Sequence, residues 1–270
     1  MKLGLTLPSF VEDPATPVAV ARAAEDAGLD AVFVYDHLFR VRSDGTRRPA
    51  LEGVSLLGAV AQTTSAIAVG ALVFRAWLRP APSLAAAIET IDRIAPGRVV
   101  ATIGAGDSQS REENESFGLG FGSIGDRVDA LRAAVVAARR TTTARVWVGG
   151  HASAVRRVAA EAAQGWNSWA DDVERFAARA AETRRGATEG FECSWGGLVV
   201  VADDDQRARA KAERLAAPAE AIVGGPATVA RALSRYGDAG ADWVIAAPVD
   251  SQDLENARLL GEAVAPLLSG

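Results

Sequence analysis

An aspartate and a histidine, Asp36 and His37, follow directly on the apolar run Ala31-Val32-Phe33-Val34-Tyr35, and His37 is one of only 2 histidines in 270 residues. A run this short and this apolar reads as a parallel strand buried on both faces. In parallel α/β folds the C-terminal strand ends form the functional rim, so a carboxylate and an imidazole there are placed for proton chemistry near neutral pH. An equally open reading makes Asp36 a turn cap and His37 a rim residue with its polar atoms satisfied.

Three further segments carry candidate chemistry. In Ile103-Gly104-Ala105-Gly106-Asp107-Ser108, two glycines let backbone approach a ligand, and Asp107 stands just beyond; the alternative is a tight turn that Asp107 caps. Ser110 and Glu113 have capping-box spacing, which predicts a short helix with no catalytic meaning. In Val146-Trp147-Val148-Gly149-Gly150-His151-Ala152-Ser153, a strand, two glycines and a helix start aim unpaired N–H groups at one point, suiting a phosphate. The anion site is favoured there over a merely flexible turn. His151 reads as a loop residue, since nothing in sequence pairs it with an acid. Gly224-Gly225-Pro226 is a rival anion site that Pro226 at a first helical position also explains. Phe10, Trp77 and Trp169 could wall a pocket for a flat ring or simply pack the rim.

The elements that must position these residues alternate along the whole chain. Strand-like runs at 3–7, 31–35, 68–73, 99–103, 146–148, 165–168, 196–201 and 243–247 are separated by alanine-rich helical stretches, giving eight βα units. Thr16-Pro17 is the expected N-cap and first helical proline of the first helix, and Gly28 its stop. Gly240-Ala241-Asp242 ahead of Trp243 repeats Gly28-Leu29-Asp30 ahead of Ala31, as a recurring αβ joint would. The first βα turn, Leu7-Pro8-Ser9-Phe10-Val11-Glu12, lacks the Gly-x-Gly-x-x-Gly of a dinucleotide-binding open sheet. A single-domain (β/α)₈ barrel spanning residues 1–270 is therefore the expected α/β fold. Long connections at 38–50 and 105–123 leave its functional rim.

Composition narrows the function. A net charge of −5 and pI near 5.2 argue against nucleic acid or an anionic membrane as partner. The single Cys193 excludes an internal disulfide and a cysteine-based metal cluster. Two histidines without ligand spacing argue against zinc, and no nucleophile elbow is present. No leader or membrane span is evident, so a cytoplasmic protein acting on a small molecule is expected.

Taken together, the segments resemble the luciferase-like monooxygenase superfamily, and within it the F420-dependent oxidoreductase branch. The resemblance rests on residues 24–30, Tyr35-Asp36-His37, Val69-Gly70-Ala71-Leu72-Val73 with Leu78-Arg79-Pro80, residues 92–98, Ile103-Gly104-Ala105-Gly106-Asp107, Trp147-Val148-Gly149-Gly150 and Gly165-Trp166-Asn167. It implies a barrel that holds F420, or alternatively FMN, at the C-terminal rim of a homodimer. It also implies catalytic roles for His37, Asp36 and Asp107, with a non-prolyl cis peptide around Leu72-Val73 buttressing the ring. Gly104, Ala105 and Gly106 would touch the cofactor, Gly149 and Gly150 its phosphate, and Trp166 and Asn167 would stand nearby. One departure is the short link between Arg140 and Val146, where many relatives carry a covering segment. The implied activity is hydride transfer with a small organic substrate; the rivals are an FMN-dependent monooxygenase and a flavin-binding protein without turnover.

Overall fold

The computed structural model describes residues 1–41, 44–107 and 110–268. Eleven strands form: β1 (Lys2–Thr6), β2 (Ala31–Val34), β3 (Phe39–Val41), β4 (Arg47–Pro49), β5 (Ala68–Arg75), β6 (Val99–Gly104), β7 (Arg145–Gly149), β8 (Gly165–Trp169), β9 (Glu192–Val201), β10 (Ile222–Gly224) and β11 (Trp243–Pro248). The helices are α1 (Ala15–Asp26), α2 (Gly53–Thr63), α3 (Ala81–Ile94), α4 (Ser110–Ser116), α5 (Ile124–Thr141), α6 (Ser153–Ala162), α7 (Val173–Arg185), α8 (Asp205–Arg214), α9 (Pro226–Asp238) and α10 (Leu254–Arg258), the last running on through a π-helical turn to Leu268. The parallel order β9-β11-β1-β2-β5-β6-β7-β8 closes on itself where Gly165 to Trp169 of β8 pair with Glu192 to Gly196 of β9. This is the (β/α)₈ barrel, with β10 added beside the upper end of β9.

Differences from the sequence reading are local. The barrel strand read at 196–201 begins four residues earlier, at Glu192, and β10 was not anticipated. Part of the 38–50 connection folds back as the antiparallel pair β3–β4, although Arg42 and Ser43 lie outside the described residues. Thr16 does not cap α1; the helix begins at Ala15, whose N–H is bonded by the Asp13 carboxylate at 2.9 Å. Gly28, with φ of 80°, ends it as expected. The recurring αβ joint has a physical basis: Asp30 accepts from Leu3 N at 2.8 Å and Asp242 from Cys193 N at 2.7 Å. Each aspartate stitches its strand to the neighbouring one.

The barrel interior is filled by a few large side chains set against glycines. Phe33, Trp147, Trp243, Val100, Leu72 and Ile245 form the inner cluster. A Cβ on Gly4 or Gly70 would lie 2.9 Å from Phe33, and one on Gly165 only 2.5 Å from Trp147. At the N-terminal end, Glu192 accepts from both Trp147 Nε1 (3.2 Å) and Trp243 Nε1 (3.0 Å), satisfying two buried indoles with one carboxylate. A cavity of about 600 Å³ opens at this end among Lys2, Glu192, Asp242 and Trp243. It lies at the opposite end of the strands from the candidate residues.

Close packing of an aromatic on a bare backbone predicts an asymmetric response to added methyl groups. Gly165→Ala would also meet the Glu192 carbonyl oxygen at 2.8 Å, and backbone cannot swing aside. It is expected to lower unfolding free energy by about 1–3 kcal/mol. Gly58→Ala inside α2, where nothing lies within 4 Å of the new Cβ, is expected to raise it by about 0.5–1 kcal/mol. Guanidinium unfolding midpoints at constant m-value check both.

Candidate functional site

The chain leaves β2 with its side chains still alternating, so Tyr35 and His37 fall on one side and Asp36 on the other. Tyr35 meets Trp169 edge to face at a 6.2 Å centroid separation, Phe10 lies 6.2 Å from Tyr35, and Phe10 lies 5.7 Å from His37. These four rings make a continuous wall at the C-terminal end of the barrel. Burial pushes the Tyr35 hydroxyl up to about 12, so it stays protonated. Trp77, expected on the same wall, instead donates from Nε1 to Gly120 O at 3.2 Å and packs on Gly122.

Behind the wall runs a buried ionic network. The Asp36 carboxylate has no exposed surface and is gripped by Arg79 at 2.7 and 2.9 Å, while Arg75 N donates to it at 2.9 Å. This corrects the expectation that Asp36 does proton chemistry: its oxygens are engaged by a guanidinium and backbone, on the side away from the ring wall. Arg79 also pairs with Glu52, whose other oxygen caps α2 through Ser55 N at 2.7 Å. Arg75 donates from Nε to Asp36 O (2.8 Å) and from its terminal nitrogens to Asn114 (3.2 Å) and Glu113 (2.9 Å). Glu113 receives Leu38 N as well, and its Oε2 lies 3.0 Å from His37 Nδ1. Burial would raise the Glu113 carboxyl, but the bonds from His37 and Leu38 and the Arg75 charge outweigh it and hold it below the usual range. No partner is found for His37 Nε2 among the described residues, and the ring is 35% exposed.

The other candidates separate into two groups. The Leu72-Val73 peptide is cis. Leu72 meets Trp169 above Gly196, and the Val73 side chain occupies the space a Cβ on Gly104 or Gly149 would need, at 2.5 Å from each. Those two glycines thus admit Val73. Ala105 is buried outside the barrel, and Gly106 makes the turn with φ of 75°. Asp107 is exposed, with Oδ1 accepting from Ser110 N and Oγ at 3.1 Å; Ser108, next to it, lies outside the described residues. The short helix read at Ser110 exists, but Glu113 does not cap it; its carboxylate turns inward to His37. Asn167 faces the interior and donates to Ser194 Oγ at 2.9 Å. Trp166 faces outward, stacked on Phe176 at 6.0 Å, and its Nε1 donates to Gly150 O at 2.8 Å, so it braces the diglycine turn from outside the barrel.

The diglycine phosphate reading also needs correction in detail. Gly149 is paired within the sheet, and Gly150 N donates to Asn167 O at 3.2 Å, so neither offers the free N–H expected. The unpaired N–H groups lie at the start of α6, whose N-cap Ala152 supplies no side-chain bond. The rival helix start at Gly225 is filled from within: Asp205 accepts from Gly225 N (2.8 Å) and Thr228 Oγ1 (3.1 Å). On the neighbouring helix α5, Arg127 is only 9% exposed, and its Nε and Nη1 have no hydrogen-bond partner among the described residues. Its guanidinium lies 4.0 Å from the Phe121 ring, which Arg111 flanks at 4.4 Å. His151 does have an acid nearby, Asp171 at 3.6 Å, and Nε2 accepts from Trp169 N at 3.3 Å. Burial lowers its proton affinity, the Arg179 and Arg156 charges add to that, and Asp171 only partly opposes them.

Sequence reasoning therefore missed Glu113, Arg75, Glu52 and Arg127. Glu113 was hidden by a spacing that fits a cap equally well. Arg79 lay inside a quoted segment without a role, and Arg75 and Arg127 gave no local signal.

Comparison with known proteins fits this geometry. An F420-dependent glucose-6-phosphate dehydrogenase of Beutenbergia cavernae is 36% identical over 111 residues, 41% of this chain and 32% of that enzyme. The chain thus matches about a third of that relative's length. An F420-dependent secondary alcohol dehydrogenase, solved with an F420-acetone adduct, superposes with a TM-score of 0.82 at 16% identity, covering 99% and 98% of the two chains. An EDTA monooxygenase from Chelativorans sp. superposes with a TM-score of 0.79 at 14% identity, covering 100% and 93%. Since dehydrogenase and monooxygenase share the architecture at such low identity, these superpositions speak for the fold alone. The luciferase-like monooxygenase family model matches residues 1–260, and the chain belongs to that family.

Proposed function

We propose that this chain is an F420-dependent oxidoreductase that moves hydride between the bound deazaflavin and a small organic substrate. The observation that carries this reading is His37, with Nε2 open at the rim beside a ring-sized wall of Phe10, Tyr35 and Trp169. A flat cofactor with an anionic tail also fits the bare start of α6 and the orphaned N–H groups of Arg127 on the adjacent helix. When bound, the deazaflavin supplies two-electron chemistry that no side chain offers. The choice of deazaflavin over FMN is supported by the relatives named F420-dependent dehydrogenases.

The residues divide the remaining work. Leu72, Val73 and Trp169 would form an apolar bed for the ring, with the backbone of Gly104, Ala105 and Gly106 at its edge and Asn167 beneath. The turn at Gly149 and Gly150 sets the angle at which α6 presents its N–H groups, and Arg127 adds the charge that holds the phosphate. His37 gives or takes the substrate proton at Nε2. Asp36 acts through Arg75 and Arg79, which keep β2 and β5 in register at the rim. Asp107, exposed at the start of α4, belongs to the substrate side. A cytoplasmic homodimer completes the reading, on the strength of the family resemblance. Among the described residues, no helix is long and apolar enough to cross a membrane.

Fluorescence quenching should show F420 bound at least tenfold more tightly than FMN, a difference of about 1.4 kcal/mol. Equal affinity or an FMN preference would favour a monooxygenase using reduced flavin and oxygen; tight binding without turnover of any alcohol or aldehyde panel would favour a carrier. Arg127→Ala is expected to weaken F420 by roughly 10–100-fold, the worth of a charged hydrogen bond. The dephosphorylated deazaflavin riboside should bind wild type and variant alike; equal loss for both ligands would place the phosphate elsewhere.

Once a substrate is in hand, His37→Ala is expected to lower kcat by about 10²–10⁴-fold, the usual contribution of a positioned acid or base. Cofactor affinity should change much less. Asp107→Asn is expected to affect turnover and not cofactor binding. Near-full kcat in His37→Ala across pH 6 to 8, with loss in Asp107→Asn, would transfer the acid/base role to Asp107.

A further inference from the structure

The two oxygens of Glu113 face partners of different kinds. Oε1 receives Leu38 N and Arg75 Nη2, a backbone N–H and a guanidinium, neither of which can accept a hydrogen bond. Among the described residues, Oε2 faces only His37 Nδ1, at 3.0 Å. The residue is 3% exposed, so water does not scramble the arrangement, and its ion pairs keep it a carboxylate. A carboxylate only accepts. The hydrogen between Oε2 and the imidazole therefore belongs to Nδ1.

We propose that Glu113 is a positioning residue that fixes His37 as its Nδ1–H tautomer, leaving the Nε2 lone pair aimed at the rim as the proton acceptor. The inference deepens the oxidoreductase reading and rests on it for its catalytic consequence. In the proton step a substrate O–H bond breaks with its electron pair left on oxygen, and the proton bonds to Nε2. The resulting imidazolium carries a hydrogen on each nitrogen, and its charge is balanced by the carboxylate already at Nδ1. In the reverse direction the Nε2 proton returns to substrate oxygen. With the opposite tautomer Nε2 would hold a hydrogen at the outset and could accept none.

Glu113→Gln turns this into a test. Leu38 N–H and Arg75 still require an acceptor, so the amide must present its carbonyl to them and its NH₂ to His37 Nδ1. Nδ1 must then accept, and the hydrogen moves to Nε2. Long-range proton–nitrogen correlation NMR on histidine-labelled protein reads the tautomer directly. With only 2 histidines in the chain, the spectrum of His37→Ala assigns the signals. Neutral His37 in wild type is expected to carry its hydrogen on Nδ1, and in Glu113→Gln on Nε2. The variant should also lose kcat by about 10²–10⁴-fold with KM little changed, the signature of a lost proton acceptor in an intact site. An Nε2–H tautomer in wild type would overturn the proposal, as would an unchanged tautomer in a folded Glu113→Gln protein. The wild-type spectrum decides the matter even if the variant does not fold. Because the tautomer is read without cofactor or substrate, failure of F420 to bind would count against the oxidoreductase reading and leave this test standing.

Discussion

A carboxylate with no exposed surface must be compensated by charge and hydrogen bonds, and Asp36 at the end of β2 is such a group. Its compensation organises the rim. Arg79 grips both oxygens from the turn after β5, and Arg75 at the end of β5 binds the Asp36 backbone and carboxylate together. Arg75 in turn needs its own counter-charge, and Glu113 on α4 supplies it. Through Glu113 the chain of pairings reaches His37. Removing one member would leave a buried charge without a partner, which is why these residues behave as a unit. The imidazole is thus the exposed end of a network anchored in the barrel wall.

The same economy of space governs the barrel interior. Large rings and glycines alternate because a parallel barrel this small leaves room for one bulky side chain only where its neighbour has none. Phe33 faces Gly4 and Gly70, Trp147 faces Gly165, and Val73 lies between Gly104 and Gly149. The glycines of the two diglycine-like segments are therefore packing requirements first. What they permit is a Val73 side chain seated between β6 and β7 at the rim.

The helix starts after the two diglycines show how a fold treats equivalent-looking places differently. α9 and α6 both begin after a diglycine or its like, and both present unpaired N–H groups. In α9 that demand is met internally by Asp205, whose bonds from Gly225 N and Thr228 hold its carboxyl below the usual range. In α6 it is left open, and the neighbouring helix brings up an arginine without a carboxylate partner among the described residues. Two similar motifs thus have opposite fates, decided by a residue twenty positions away in the first case and by helix packing in the second.

The amino-acid sequence by itself determined the architecture. Eight apolar runs, their spacing, the repeated Gly-x-Asp joint before β2 and β11, and the missing nucleotide-binding fingerprint were enough, because strand and helix periodicity are local properties. It also singled out Tyr35-Asp36-His37, since polar residues ending a buried strand have few other places to go. Tertiary structure alone decided which of those side chains join the ring wall and what holds them. Asp36 turned into the wall and His37 toward the rim because side chains alternate at a strand end. Trp166 turned outward for the same reason, a parity that one residue of register reverses. Glu113 became the partner of His37 because β6 and α4 bring it 76 positions back along the chain. A pairing at that separation leaves no trace in local spacing, and only the closed barrel, with its C-terminal loops gathered on one rim, makes the two residues neighbours.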